Sequence, residues 1–301
     1  MVFGCACLVL LVSGVGRTLS LEDEIVFSAN LDDSDYEIYR MALGRGVTVQ
    51  LTHNKVNDLQ PDWSPDGQQI VFVNDASAAN RVYIMNADGS NTHRLSNQAN
   101  GGNLSPMWSP DGQFIAYISS ARAGATPELT LFDLKTDTNR RLTHNSIRAL
   151  MPYWSPDGRQ IAFVTESPNR LHYDIVSITV KSGVVQLLTA TDRDEINPAW
   201  SPDGHSIVYV GNFTDGIYLL DIVSNQSTLL YTLKSISYIN GWLADSHRIL
   251  YTALSRDGNQ YISTLNVADC LNPSDSCIPQ VLASIRGNYI NPHPRWRPHQ
   301  P

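Results

Sequence analysis

The sequence predicts an all-β protein, a six-bladed β-propeller with four-stranded antiparallel blades. Its six tryptophans recur at spacings of 45, 46, 46, 42 and 54 residues, which is the repeat length of one propeller blade. Four of the tryptophans open an identical string, Trp-Ser-Pro-Asp-Gly, and an apolar run of strand length follows every copy. The recurring tryptophans, which we expect to pack in the core between neighbouring sheets, are Trp63, Trp108, Trp154, Trp200, Trp242 and Trp296.

The repeated string has the residues of a tight hairpin turn. Proline fixes φ at the second turn position, aspartate hydrogen-bonds the nearby backbone, and glycine accepts the positive φ needed to enter the next strand. The string resembles the repeat of TolB-type, WD-like β-propellers, and the resemblance covers the propeller part only. It implies a propeller scaffold that binds a partner through one face.

The remaining strands of each blade follow the turn in order. Second strands are predicted at 70–73, 115–118, 161–164 and 207–210, where β-branched and aromatic residues dominate. Third strands are predicted at 81–85, 129–132, 173–176 and 216–220, and a polar turn and a short outer strand come after each. The repeats at Trp242 and Trp296 lack the turn string, but residues 249–252 still have the composition of a strand.

The two ends of the chain predict how the ring closes. Residues 24–28, 37–41 and 47–52 have the pattern of the second, third and fourth strands of a blade without its tryptophan strand. Residues 291–298, around Trp296, have the pattern of a tryptophan strand with nothing after it. A composite blade made from both termini would remove the exposed sheet edges of an open array.

Composition and the N-terminal segment indicate the compartment of the protein and the classes of partner that it can bind. The 301-residue chain has 21 basic and 29 acidic residues, a net charge of −8 and no basic run, which disfavours nucleic acid and anionic membrane surfaces. Residues 2–15 are almost entirely apolar but fewer than the ~20 of a transmembrane helix. We expect a signal-like hydrophobic segment over 1–20, one propeller domain over 21–301, and a monomer in the periplasm or outside the cell. A buried N-terminal segment and a lipid anchor at Cys5 are the alternatives.

Two cysteines near the C-terminus predict a disulfide. Cys270 and Cys277 are separated by a short polar loop that contains proline, and an oxidising compartment would let them bond. This insertion also accounts for the long last spacing between tryptophans. The alternative is a pair of exposed thiols, whereas a metal site is disfavoured because there is no second cysteine pair.

The sequence contains none of the catalytic or cofactor-binding motifs that we sought. A nucleophile elbow, a Walker loop, a His-Glu-x-x-His zinc motif and a dinucleotide-binding glycine motif are all missing from it. We therefore expect no cofactor and no metal. His53 and His144 recur within the same Leu-Thr-His-Asn string, which we interpret as inheritance by duplicated blades, with contact to a ligand as the alternative.

Topology predicts the best candidate site. The loops that lead into the innermost strands converge on one mouth of the channel, so residues a few positions before each tryptophan should meet there. These polar residues are either solvated loop positions or a partner-binding mouth, in which Arg148 is a singular positive charge. We favour a non-enzymatic exported scaffold that binds a protein or cell-envelope component; the alternative is a lyase or hydrolase acting on carbohydrates or small molecules. The candidates are Asn57, Asp58, Asn103, Arg148, Asp194, Glu195, Ser237 and Asn291.

Overall fold

A computed structural model describes residues 24–296 of the chain, apart from short segments within that range. The excepted segments are 32–34, 44–45, 77–79, 96–101, 121–123, 145–146, 168–170, 213–214, 234–236, 244–246, 255–259, 272–276 and 286–294. The predicted N-terminal segment 1–20 and Asn291 lie outside the described residues, as do the side chains of Ser237 and Trp296.

Five blades are each built from one continuous segment, with four strands in chain order. Blade 1 contains β4 (Asp58–Trp63), β5 (Gln69–Asn74), β6 (Arg81–Asn86) and β7 (His93–Arg94). Blade 2 contains β8 (Asn103–Trp108), β9 (Phe114–Ser119), β10 (Glu128–Asp133) and β11 (Thr138–Arg141). Blade 3 contains β12 (Leu150–Trp154), β13 (Gln160–Glu166), β14 (Tyr173–Thr179) and β15 (Val185–Leu187). Blade 4 contains β16 (Glu195–Trp200), β17 (Ser206–Gly211), β18 (Gly216–Asp221) and β19 (Gln226–Thr232). Blade 5 contains β20 (Ser237–Trp242), β21 (Arg248–Leu254), β22 (Gln260–Asn266) and β23 (Gln280–Ile285).

A further four-stranded sheet, here called the closing sheet, joins the two ends of the chain. It consists of β1 (Glu24–Ala29), β2 (Glu37–Ala42), β3 (Val47–Gln50) and the two-residue strand β24 (Arg295–Trp296), which pairs with β1. Ile25 and Phe27 share an apolar cluster with Leu250 of blade 5. On the other side, Val26 shares a cluster with Trp63 of blade 1. The closing sheet therefore packs between the first and last continuous blades.

The prediction of an all-β propeller with four-stranded antiparallel blades is confirmed, and the described residues form five continuous blades. The core lies between neighbouring blades, and the tryptophans belong to it. Trp63, Trp108, Trp154 and Trp200 are each at most 7% exposed. Each of them lies in an apolar cluster that includes side chains of the preceding sheet. Trp242 is partly buried, and its indole Nε1 donates to the carbonyl of Ala199 in blade 4 at 3.1 Å.

The Trp-Ser-Pro-Asp-Gly turns have the predicted hydrogen bonds. In all four copies the serine hydroxyl donates to the aspartate Oδ1 at 2.5–2.7 Å. The same carboxylate accepts the N–H of the residue two positions on, at 3.0 Å. The turn glycines have φ between 64° and 73°, where only glycine lacks a steric penalty. The same hydrogen-bonded turn therefore follows the innermost strand in blades 1 to 4.

The predicted disulfide between Cys270 and Cys277 is present and ties down the loop between β22 and β23. Cys270 belongs to α1 (Val267–Leu271), which contacts β19 of the neighbouring blade. The two cysteines pack against a cluster that contains Leu230 of β19, and the Sγ of Cys277 lies 3.5 Å from the Leu230 carbonyl oxygen. The insertion thus covers part of an outer strand in blade 4.

We expect the Cys270→Ser/Cys277→Ser variant to lose about 2 kcal/mol of unfolding free energy, because a closed loop of this size restricts the unfolded chain by about that amount. Urea denaturation of wild type and variant checks this. A reductant should lower the wild-type midpoint and leave that of the variant unchanged. Equal midpoints for wild type and variant in the absence of reductant would contradict the prediction.

Candidate functional site at one mouth of the channel

The innermost strands of the five blades, β4, β8, β12, β16 and β20, all run from one end of the channel to the other. We call the end where they begin the leading mouth, and the end formed by the tryptophan turns the turn mouth. The predicted site residues that are described lie at or just before the start of these strands. β20 begins at Ser237, so the backbone of this residue also reaches the leading mouth.

Burial divides the predicted site residues into two groups. Asp58 and Asn103 have no exposed surface and Glu195 is 2% exposed, so these side chains do not reach a partner. This corrects the expectation that they face solvent. These side chains are buried because each is the first residue of an innermost strand and lies at the junction with the preceding sheet. Asn57 and Asp194 precede their strands by one position and Arg148 precedes β12 by two, and all three are half-buried and remain available for contact.

Two of the half-buried residues also connect neighbouring sheets. Asn57 Oδ1 accepts the backbone N–H of Tyr36 in the closing sheet at 3.0 Å, and its Nδ2 donates to Asp75 at 2.6 Å. Asp194 plays the same role in blade 4, since its Oδ1 accepts the N–H of Tyr173 in blade 3 at 3.0 Å. Polar side chains therefore contribute to the junctions between neighbouring sheets at the leading mouth.

The sequence analysis missed a threonine that recurs beside this mouth. The hydroxyls of Thr52, Thr143 and Thr189 accept the backbone N–H of Ile38, Leu129 and Ile175, respectively, at 2.8–2.9 Å. All three threonines are at most 6% exposed.

The first two of these threonines belong to the repeated Leu-Thr-His-Asn string. His53 and His144 of that string are exposed. The buried threonine, rather than the exposed histidine, therefore gives a structural reason for the repetition of this string.

Buried carboxyl groups lie next to two of these threonines. Burial raises the pKa of Asp58 to about 6, although hydrogen bonds from Asn74, Asn54 and Thr52 act in the opposite direction. Burial also raises the pKa of Glu195, which accepts a hydrogen bond from the Thr191 hydroxyl at 3.0 Å. Both carboxyl groups are therefore easier to protonate than exposed ones.

The accessible charges at the leading mouth have both signs. Arg148 forms an ion pair with Glu166 at 3.0 Å, with 42% of the arginine side chain exposed. Arg193, which the sequence analysis did not single out, lies 3.7 Å from Asp192 and 3.9 Å from Asp215. Arg148 is thus not a singular positive charge at this end of the molecule.

Below the leading mouth, four blades share an unusual backbone conformation. Gln60, Ser105, Met151 and Asn197 have φ between 50° and 53°, and each precedes a proline. A residue before proline normally prefers an extended conformation with negative φ, so this conformation is strained. The register of each innermost strand shifts at this point, as in a β-bulge. The four residues and their prolines line a cavity in the channel.

The turn mouth has a different lining. A cavity of about 360 Å³ opens among the tryptophans and turn prolines of successive blades, including Trp108, Pro110, Trp154 and Pro156. In blades 1 to 4 most of its lining residues are the same, because they belong to the repeated string. The two ends of the channel therefore differ in how much their chemistry varies from blade to blade.

The described residues contain neither a metal-binding cluster nor a membrane-spanning helix. No three histidine, cysteine or acidic side chains among them are placed to hold a metal ion. No helix in the described part of the chain has the length and apolar character to cross a membrane.

The fold and its repeated turns define a WD-like repeat β-propeller. Sequence comparison identifies the family, because the family described as TolB beta propeller domain matches residues 22–144 and 97–271. The chain belongs to this family. An uncharacterized protein of Agrobacterium fabrum is 33% identical over 69 residues. That match covers 23% of this chain and only 24% of the relative.

Solved structures share the fold at low sequence identity. TolB from Acinetobacter baumannii has a TM-score of 0.76 at 17% identity, covering 93% of this chain and 67% of that one. A putative TolB from Agrobacterium tumefaciens has a TM-score of 0.69 at 15% identity, covering 92% of this chain and 98% of that one. A chain in a nidogen/laminin complex has a TM-score of 0.69 at 9% identity, covering 91% and 98%. At these identities the likeness concerns the fold alone.

Proposed function

We propose that this protein is a non-enzymatic, exported scaffold that binds a protein or cell-envelope component through the leading mouth. In this proposal residues 1–20 direct export to the periplasm or the cell exterior. Residues 21–301 form a single six-bladed propeller, with the closing sheet as its sixth blade. The disulfide at Cys270 and Cys277 supports an oxidising compartment.

The observation that carries the proposal is a contrast between positions within the repeats. The turn string is identical in four blades, as expected where every blade has the same structural requirement. The strained position before the inner proline is Gln60, Ser105, Met151 or Asn197, depending on the blade. Four side chains of different chemistry around one cavity can recognise an asymmetric partner, whereas four identical ones would present the same group in each blade.

The accessible groups suit a protein partner. Met151 offers apolar surface, Gln60 offers an amide, and Arg148 with Glu166 offers charges of both signs. Such a mixture of a small apolar centre with a polar rim is typical of transient protein interfaces. A propeller of the same fold occurs in a nidogen/laminin complex, which supports the capacity of this architecture for protein binding.

The proposal is tested by affinity capture from the native envelope fraction with the full chain as bait. Arg148→Ala and Met151→Ala alter the leading mouth and its channel wall. Lys181→Ala is the matched control, because it removes an exposed positive charge in the turn between β14 and β15. A direct partner should bind wild type and Lys181→Ala equally and bind both mouth variants about tenfold more weakly, as expected for central interface residues.

Two results would count against the scaffold. If wild type retains no partner, binding is not its role, and a screen for turnover of glycans and small molecules becomes the next experiment. If all variants retain the partner equally, the partner binds elsewhere on the propeller. Circular dichroism of every variant shows whether a loss of binding reflects a loss of fold.

A further inference from the structure

Two junctions between neighbouring sheets each bury a pair of carboxyl groups. Glu37 of the closing sheet lies near Asp58 of blade 1, and Asp174 of blade 3 lies near Glu195 of blade 4, with all four at most 2% exposed. Ala149 occupies the equivalent position between blades 2 and 3. Its N–H donates to the Pro127 carbonyl as the Asp58 N–H donates to that of Tyr36. The junction can therefore form without a carboxyl pair.

The hydrogen bonds at these pairs leave carboxyl oxygens without donors. At the first junction Asn54 bridges the pair, with its backbone N–H donating to Glu37 Oε1 at 2.8 Å and its Nδ2 donating to Asp58 Oδ2 at 2.6 Å. Glu37 Oε2, Asp174 Oδ1 and Glu195 Oε2 are buried and accept no hydrogen bond from the described residues. A buried charged oxygen without a donor is costly. A proton removes the charge and makes the carboxyl group a donor itself.

We propose that each carboxyl pair is a proton-binding site that makes the packing of neighbouring blades at the leading mouth depend on pH. Uptake of a proton by each pair stabilises the junction, and its release at higher pH weakens the junction. The inference concerns the fold and does not depend on the proposed function. Because the described residues of these junctions offer no cluster of three metal-ligating groups, the structure favours a proton over a divalent cation.

The charged surroundings of the two sites support this assignment. Asp58 faces the carboxyl group of Glu37, and the effect of Glu37 on the pKa of Asp58 is upward. Glu195 faces Asp174, which raises its pKa, and His172, which lowers it by a smaller amount than burial raises it. Asp174 also has a raised pKa because burial outweighs His172, whose Nε2 lies 3.6 Å from Asp174 Oδ1. Tyr209 is the other titratable group that Glu195 influences.

The sign of the pH effect follows from these shifts. A carboxyl group whose pKa is higher in the folded than in the unfolded protein binds more protons when folded, so stability falls as pH rises between the two pKa values. For Asp58 this window extends from its ordinary value of 3.8 to about 6. The contribution is complete below the window and absent above it.

The test compares unfolding constants of the full chain at pH 4 and pH 7. Asp58→Ala and Glu195→Ala reproduce the alanine of the junction between blades 2 and 3. Asp192→Ala is the control, because its side chain is 96% exposed. The ratio of the unfolding constant of Asp58→Ala to that of wild type should fall about 50-fold from pH 4 to pH 7. The ratio for Glu195→Ala should fall as well, and that for Asp192→Ala should stay constant.

A second measurement needs no variant to fold. With ¹³C-labelled aspartate carboxyl groups, one resonance of the wild type should titrate near pH 6. The inference is overturned if every aspartate titrates below pH 5, or if the ratio for Asp58→Ala does not change with pH. It is also overturned if millimolar calcium chloride stabilises the wild type at pH 7 but not an Asp58→Ala/Glu195→Ala variant, because the pairs would then bind a cation.

Discussion

Replacing Trp154 by alanine should lower the free energy of unfolding by about 3–5 kcal/mol. The indole is 4% exposed and packs in one cluster with Met107 and Leu131 of blade 2 and Ile161 of its own blade. Its removal leaves a cavity between two blades, which the hydrogen-bonded sheets on either side can fill only in part. The loss should therefore be close to the full cost for a large buried aromatic residue.

Chemical denaturation of wild type and Trp154→Ala measures this loss. Trp154→Phe should retain part of the stability because an aromatic ring still occupies the junction, and Lys181→Ala should be neutral because its side chain is exposed. A loss below about 1 kcal/mol for Trp154→Ala would mean that the neighbouring blades close the gap, contrary to the close packing of protein interiors.

Replacing Thr143 by valine should cost about 1–3 kcal/mol, although the two side chains have nearly the same shape. The Thr143 hydroxyl accepts the backbone N–H of Leu129 at 2.8 Å, and the threonine is 1% exposed. Valine leaves this N–H buried without an acceptor, and water cannot replace the hydroxyl in a closed site. Thr143 is preferred to Thr52 and Thr189 because the neighbouring position is Ala149, so no buried carboxyl pair complicates the measurement.

Thr143→Ser separates the hydrogen bond from side-chain packing. Serine keeps the hydroxyl and removes one methyl group, so it should cost clearly less than valine in the same denaturation experiment. If serine costs as much as valine or more, packing of the methyl group rather than the hydrogen bond would be the main contribution of Thr143.

The strand and turn pattern could be predicted because it depends on local chemistry that recurs. Residues 70–73 and their equivalents are β-branched and aromatic, and they occur as buried strands. The Ser64–Asp66 hydrogen bond and the positive φ of Gly67 follow from the turn string itself. The disulfide could also be predicted from the sequence, because Cys270 and Cys277 are separated by only a short loop.

The character of the leading mouth was predicted only in part. Asp58 and Asn57 are adjacent polar residues in the sequence, yet one is fully buried and the other half-buried, because Asp58 is enclosed by Asn54, Asn74 and Glu37. The positive φ of Met151 was not predicted either, since the residue before a proline is expected to have an extended backbone. Whether a strand contains a bulge depends on how it packs against the innermost strands of neighbouring blades.

The sequence by itself determined the propeller, its strand order and its turns, since spacing, alternation and turn residues act over a few positions of the chain. Tertiary structure alone decided which polar side chains are buried as proton-binding pairs and which remain accessible. The physical reason is that burial of Asp58 or Glu195 depends on the adjacent sheet, whose contacting residues lie about 20 positions away in the sequence. Only the packing of one blade on the next brings these groups together.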